Sequence, residues 1–242
     1  YTAVQCVTLN LPRAAYRVGN ERELLGELDR LARVVVQAQL EKRAFVEKLL
    51  SLKNLGPLAL LAVEREGKPY LELDQATYLI SVMGLNECVQ ALTGEELHDS
   101  EKALALAGRI AEHLSARFGQ SSEDMDLNFA LAQTADAAVA RRLAALDLHD
   151  FPDRARAVVK TDSKAHEIYY TAGAQLNPTY ECNPIERVRI EGQFHEWLRA
   201  GAFTQVHMPD DQTSKESIAG FINKAYYQTQ THRVVFRESS TD

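Results

Sequence analysis

Apolar positions recur along this chain at two periods, and the change from one to the other divides it into strands and helices. The opening run, Tyr1 to Asn10, is rich in Val, Thr and Leu and reaches Pro12, which predicts a strand ending in a turn. Leu24, Leu28, Leu31, Val35 and Ala38 then return every three or four residues, the buried face of a helix that Asn20 caps and that continues toward Leu50. About 30 residues at ~1.5 Å each make it ~45 Å long. Gly56-Pro57 breaks the pattern, and Gly67-Lys68-Pro69 marks a turn in the mixed stretch that follows.

Thr77–Met83 reads as a buried strand, and Gly84 turns it into a helix over Asn86–Leu92 that Gly94 closes. Ser100 or Asp99 caps the next helix, which passes Leu104, Ile110 and Leu114 and stops at Gly119. A strand at Leu127–Gln133, an Ala-rich helix at Thr134–Leu146 and a strand at Ile168–Leu176 follow, the last ended by Asn177-Pro178. Asn183-Pro184-Ile185-Glu186 places Asn at a helix cap, Pro in the first turn and Glu three residues on, a capping box. Thr213-Ser214-Lys215-Glu216 repeats that logic ahead of Ile218, Phe221 and Ile222, between strands at Phe203–Met208 and His232–Phe236. Trp197 reads as a core anchor on a helix. Strand and helix alternate without a polar linker. This predicts one α/β domain over residues 1–242, its sheet buried on both faces.

Composition narrows the function. The 242 residues carry 27 Lys+Arg against 34 Asp+Glu, a net charge of −7, and 45% are hydrophobic, which excludes a disordered chain. An acidic balance argues against a nucleic-acid binder, and no apolar run approaches the ~18 residues of a membrane span. Cys6, Cys88 and Cys182 form no CxxC pair, which argues against a disulfide framework or a thiolate zinc site and points to a reduced, cytoplasmic setting. The histidines show no HExxH or i,i+4 pairing, so no metal site is expected. No Walker loop or GxGxxG is present. The chain opens in mid-strand, without Met or a secretory signal, as a part of something longer would, and its polar end, Arg237 to Asp242, is expected to fray.

Four segments carry a resemblance. Val7-Thr8-Leu9-Asn10-Leu11-Pro12-Arg13-Ala14-Ala15-Tyr16 resembles the VTxNLPRxAY strand of anaerobic (class III) ribonucleotide reductases. Gly84-Leu85-Asn86-Glu87 is similar to that family's G-L-x-E turn, and Tyr169-Tyr170-Thr171-Ala172-Gly173 to its YYTNS strand. Ile185 to His195, with Ala200-Gly201-Ala202, resembles the stretch leading into its last barrel strands. The resemblance implies half of a ten-stranded α/β barrel of the glycyl radical enzyme type, the second of two five-stranded halves. It further implies reduction of ribonucleoside triphosphates to 2′-deoxyribonucleotides: a glycyl radical makes a cysteine thiyl, the thiyl takes hydrogen from C3′, the 2′-hydroxyl leaves as water, and formate or a dithiol supplies electrons. A radical SAM activating enzyme and a homodimer belong to the same expectation. The family's thiyl-forming cysteine, four-cysteine zinc site and glycyl-radical loop match no segment of this sequence. A degenerate, non-catalytic nucleotide-binding or scaffold homologue is the alternative.

Candidate site residues follow from pattern and resemblance together. Cys6, Thr8 and Asn10 share one strand face. Asn10 either offers its amide to a ribose hydroxyl, as the resemblance implies, or closes the Leu-Pro turn. Cys6 is expected to be a small buried residue, not the radical cysteine. Tyr169 and Tyr170 alternate, so one phenol would line the pocket while the other packs elsewhere. Gly84 and Glu87 serve either ligand approach or close packing. The family's phosphate loop, a TPxES run at a helix N-terminus, matches Thr134-Ala135-Asp136-Ala137-Ala138-Val139, where Pro, Glu and Ser are gone and Asp136 adds a negative charge. Arg141-Arg142 is expected on a solvated helix face.

Overall fold

The computed structural model describes residues 2–162, 165–208 and 214–238. Strand β1 (Ala3–Asn10) runs directly into a short helix, α1 (Leu11–Tyr16), where a turn was expected. Asn10 Oδ1 accepts the Arg13 N–H at 3.2 Å, and Pro12 occupies the first turn, where its missing N–H costs nothing. Helix α2 (Glu21–Ser51) follows the predicted stripe, capped by Asn20 on the Glu23 N–H and burying Leu24, Leu28, Ala32, Val35 and Val36. A hairpin of β2 (Glu64–Arg65) and β3 (Lys68–Pro69) forms around Gly67. Strand β4 (Thr77–Met83) has its predicted bounds, and Gly84 in the left-handed region leads into α3 (Leu85–Thr93).

Helix α4 (Glu101–Met125), capped by Ser100, runs past Gly119 to a left-handed Asp126. One glycine costs a helix of this length only about 1 kcal/mol against alanine, too little to stop it. After β5 (Asn128–Ala132), helix α5 (Ala137–Asp150) starts beyond Thr134 because Asp136 caps it on the Val139 N–H. A short α6 (Pro152–Ala155) leads to the antiparallel pair β6 (Lys160–Asp162) and β7 (Glu167–Tyr169). The strand expected over Ile168–Leu176 stops early: beyond Tyr169 a single bridge joins Ala172 to Met83. Helix α7 (Pro184–Gly192) is capped by Asn183, and Trp197 lies in the turns after it, packed on the core. Parallel strands β8 (Thr204–Met208) and β9 (Val234–Glu238) enclose α8 (Lys215–Gln228), whose cap is Ser214; Thr213 and the 239–242 tail lie outside the described residues.

The central sheet has the order β1-β4-β5, all parallel. An isolated parallel bridge joins Ala132 to Gly201, just ahead of β8, and β8 and β9 form a separate parallel pair. One face carries Leu9, Tyr78, Ile80, Val82, Phe129 and Leu131 against α2, α3 and α4, the main core. The other face presents Cys6, Thr8 and Asn10 beside Leu79, Ser81 and Met83, with Ala130 and Ala132 next in the rows. Among the described residues this second face is covered at the strands' C-terminal ends, where Met83, Ala140, Ala144 and Tyr170 pack together. Toward the N-terminal ends it is open, and Cys6 is exposed rather than buried. The expectation of a sheet covered on both sides therefore holds for only part of each strand.

Candidate functional site

In open parallel sheets, ligands meet the carboxyl ends of the strands, where helix N-termini and loop residues converge. The ends of β1, β4 and β5 here bring Asn10, Gly84 and Thr134 to one rim of the sheet, because each strand is followed by a helix that starts within a few residues. Thr134 Oγ1 lies 2.6 Å from Ser81 Oγ, which ties the loop before α5 to the open face of β4.

Asn10 is half-buried and already engaged. Besides capping α1, its Nδ2 donates to Asp147 Oδ2 at 2.9 Å. Asp147, on α5, is fully buried and accepts two further bonds, from Arg13 Nε at 2.5 Å and the Tyr170 hydroxyl at 2.9 Å. The Tyr170 hydroxyl lies 3.0 Å from that of Tyr16, and Arg13 Nη2 also reaches Asp150 at 2.6 Å. Burial pushes both phenols upward, and Asp147 adds to the shift, so each remains protonated and able to donate. The result is a connected polar cluster beneath the end of β1. Of its members, Asn10 and Tyr170 are sequence candidates, Arg13 and Tyr16 enter only within the Val7–Tyr16 segment, and Asp147 belongs to none of the resembling segments.

The other candidates divide between rim and interior. Tyr169 is half-buried, while Tyr170 turns inward to Asp147. Glu87 is fully buried and accepts the Thr171 N–H at 3.2 Å and its hydroxyl at 2.8 Å; burial raises its carboxyl above the usual range against the pull of Lys160. Gly84 N–H donates to Thr171 O at 2.8 Å, so Gly84 and Glu87 together clamp the segment after β7 onto α3. Ala135, Asp136, Ala137 and Ala138 are exposed at the start of α5, and Asp136 Oδ1 occupies the Val139 N–H at 3.1 Å. Arg141 pairs with Glu167 at 2.6 Å. Thus Asn10 and Tyr170 are brought together through Asp147, whereas Gly84 and Glu87 form a separate clamp and residues 134–138 a third, exposed element.

A cavity of about 280 Å³ lies elsewhere, lined by Tyr180, Cys182, Arg187, Glu191 and His207 among others, and none of the candidate residues borders it. Among the described residues no group of three or more His, Cys, Asp or Glu side chains fits a metal ion, and no helix is long and apolar enough to cross a membrane.

A family model described as anaerobic ribonucleoside-triphosphate reductase matches residues 1–241. One solved anaerobic ribonucleotide reductase superposes with a TM-score of 0.81 at 16% identity, over 98% of this chain and 35% of its own. The anaerobic ribonucleotide reductase from Thermotoga maritima in complex with dATP and CTP gives 0.78 at 18% identity, over 97% of this chain and 36% of its own. The Thermotoga maritima protein with glycerol in the active site gives 0.75 at 17%, over 93% and 34%. No curated protein matches the sequence. This chain therefore spans about a third of the length of these structures, with which it shares a fold.

Proposed function

The chain belongs to the anaerobic ribonucleoside-triphosphate reductase family, and on that premise we propose that it forms the second half of the barrel domain in which a ribonucleoside triphosphate is bound for reduction. The observation that carries this reading is the family match over residues 1–241. The barrel half itself is supported by the parallel strands β1, β4 and β5 with one face open toward their N-terminal ends and by the parallel pair β8-β9 that follows the Ala132–Gly201 bridge, and the nucleotide by the CTP and dATP bound to the Thermotoga maritima protein.

In this reading Asn10 meets the ribose hydroxyls at the rim of the sheet, with Tyr169 the phenol nearer the surface and Tyr170 held behind it. The backbone at Thr134, Ala135, Asp136, Ala137 and Ala138 faces the phosphates, since helix N-termini present N–H groups and a favourable dipole to anions. Gly84 and Glu87 set the wall by fixing residues 171–173. A glycyl radical would supply the family's hydrogen-atom chemistry and a structural zinc is expected with it in the full-length family; Cys6, Cys88 and Cys182 build no zinc site among the described residues, and no segment of this sequence matches the glycyl-radical loop. A radical SAM activating enzyme, a homodimeric assembly and a cytoplasmic location complete the proposal.

Calorimetric titration of the 242-residue chain with CTP tests it. A saturable signal that weakens at least severalfold in Asn10→Ala supports the site, while an Asn10→Ala isotherm equal to the parent's removes Asn10 from it. Under anoxia with an activating enzyme, the chain alone is expected to make no dCTP.

A further inference from the structure

We propose that Asp147 is the positioning residue for Asn10, holding its amide so that Asn10 meets a ligand as a hydrogen-bond donor. The proposal rests on the reading that Asn10 faces the ribose, and it adds the polarity of that contact and the group that imposes it.

An asparagine amide can turn over and exchange its donor and acceptor ends, so alone it does not specify which end a ligand meets. Here both ends are held. Oδ1 accepts the Arg13 N–H at 3.2 Å, and Nδ2 faces Asp147 Oδ2 at 2.9 Å. Reversing the amide would set its oxygen against a carboxylate oxygen and its NH₂ against a backbone N–H, losing both bonds for two like-polarity contacts. Asp147 has little freedom to adapt. It is fully buried, with Oδ1 taken by Arg13 Nε and Oδ2 shared with the Tyr170 hydroxyl, which the Tyr16 hydroxyl supports from behind. One Nδ2 hydrogen of the half-buried Asn10 is left without a partner among the described residues. That hydrogen suits an acceptor oxygen, such as a ribose hydroxyl through its lone pair. Because Asp147 arrives on α5, whose first turn lies in the 134–138 element, one helix sets both the amide and the loop proposed to face phosphate.

The test uses the full chain with CTP as the probe and Asn side-chain amide NMR as a second readout. In the parent protein one Asn10 Nδ2 hydrogen should exchange about tenfold more slowly than the other, and Asp147→Asn should abolish that contrast and weaken CTP binding about tenfold. The exchanged pair Asn10→Asp with Asp147→Asn restores a bond between the two positions with the donor reversed. It should recover thermal stability while leaving CTP affinity low. Recovery of both by the exchanged pair, or an Asp147→Asn protein with lower stability but unchanged amide exchange and affinity, would show Asp147 to be only a core ion-pair partner and overturn the proposal. If the parent does not bind CTP at all, the reading of Asn10 as a ribose contact falls, and the exchange contrast alone decides whether Asp147 holds the amide.

Discussion

A methyl group built on Gly84 would stand 2.6 Å from Cγ of Pro12 and 2.8 Å from its Cδ, while Gly84 itself holds a φ of +75°. The start of α3 is thus pressed onto the first turn of α1, and the contacting atoms belong to a ring that cannot swing aside. Gly84→Ala combines left-handed strain of ~1–2 kcal/mol with overpacking of ~1–3 kcal/mol, so a loss of roughly 3 kcal/mol is expected. Gly173, at φ +58°, is held as closely: an added methyl would stand 2.5 Å from Cγ of Gln133, a buried side chain whose amide donates to Phe203 O at 2.9 Å. Gly173→Ala should therefore cost about as much, and urea denaturation of the two variants should show losses of similar size.

Arg13→Ala leaves the Asp147 carboxylate buried with only the Asn10 amide and Tyr170 hydroxyl as donors. Removing one partner of a buried pair costs about 3–5 kcal/mol, and the remaining donors place this case near 3. Adding Asp147→Leu removes the uncompensated charge and should restore much of the loss. A double variant no more stable than Arg13→Ala alone would contradict this account.

Two buried groups pull the pH dependence of stability in opposite directions. Burial raises the Glu191 carboxyl from 4.5 to about 7, so its contribution is full below about 4.5 and is lost as pH rises through about 7. Burial, helped by His232, lowers the His195 imidazole from 6.5 to about 4, so its contribution is full above about 6.5 and is lost as pH falls through about 4. Each is worth on the order of 3 kcal/mol, with opposite slopes between about 4.5 and 6.5. Glu191→Gln should make the slope of stability against pH more positive over that window. An unchanged slope in that variant would refute the opposition.

Asp136→Ala removes the α5 cap and should cost about 1 kcal/mol of stability. It also removes a negative charge from the loop proposed to face phosphate. Because Asp136 is exposed, solvent screens that repulsion, and CTP affinity should rise only a few-fold at low salt, less at high salt. Equal affinities at low salt would separate the α5 N-terminus from the phosphates.

The parallel strands and most caps were legible because their signals are local: β4 is bounded by its own apolar run and Gly84, and Asn20, Ser100 and Asn183 cap as their neighbours require, whereas the short antiparallel pair β6-β7 has no such apolar run of its own. Gly119 misled because a helix already packed along Leu106, Ile110 and Leu114 tolerates one glycine. Helix α1 was hidden because Pro12 serves a helix start as well as a turn. The polar cluster was the least legible part, since Asn10 and Asp147 are 137 residues apart. A local trace existed: Ala140, Ala144 and Asp147 are the buried positions of α5, spaced as one helical face, and a carboxylate on such a face needs a partner from elsewhere. Cys6 was misread because its strand face was assumed covered.

Strand β1 lies at the end of the β1-β4-β5 order, with no ladder partner on its outer side among the described residues. Its sequence, AVQCVTLN, contains neither charge nor proline, two of the devices that keep a sheet margin from recruiting another chain, and its one irregularity lies between Ala3 and Cys6. Purified by itself, the 242-residue chain is therefore expected to self-associate along this margin, and the exposed Cys6 thiol gives such pairs a way to become covalent in air. Handling under reductant, or a lysine at an outward position of β1, should keep it monodisperse.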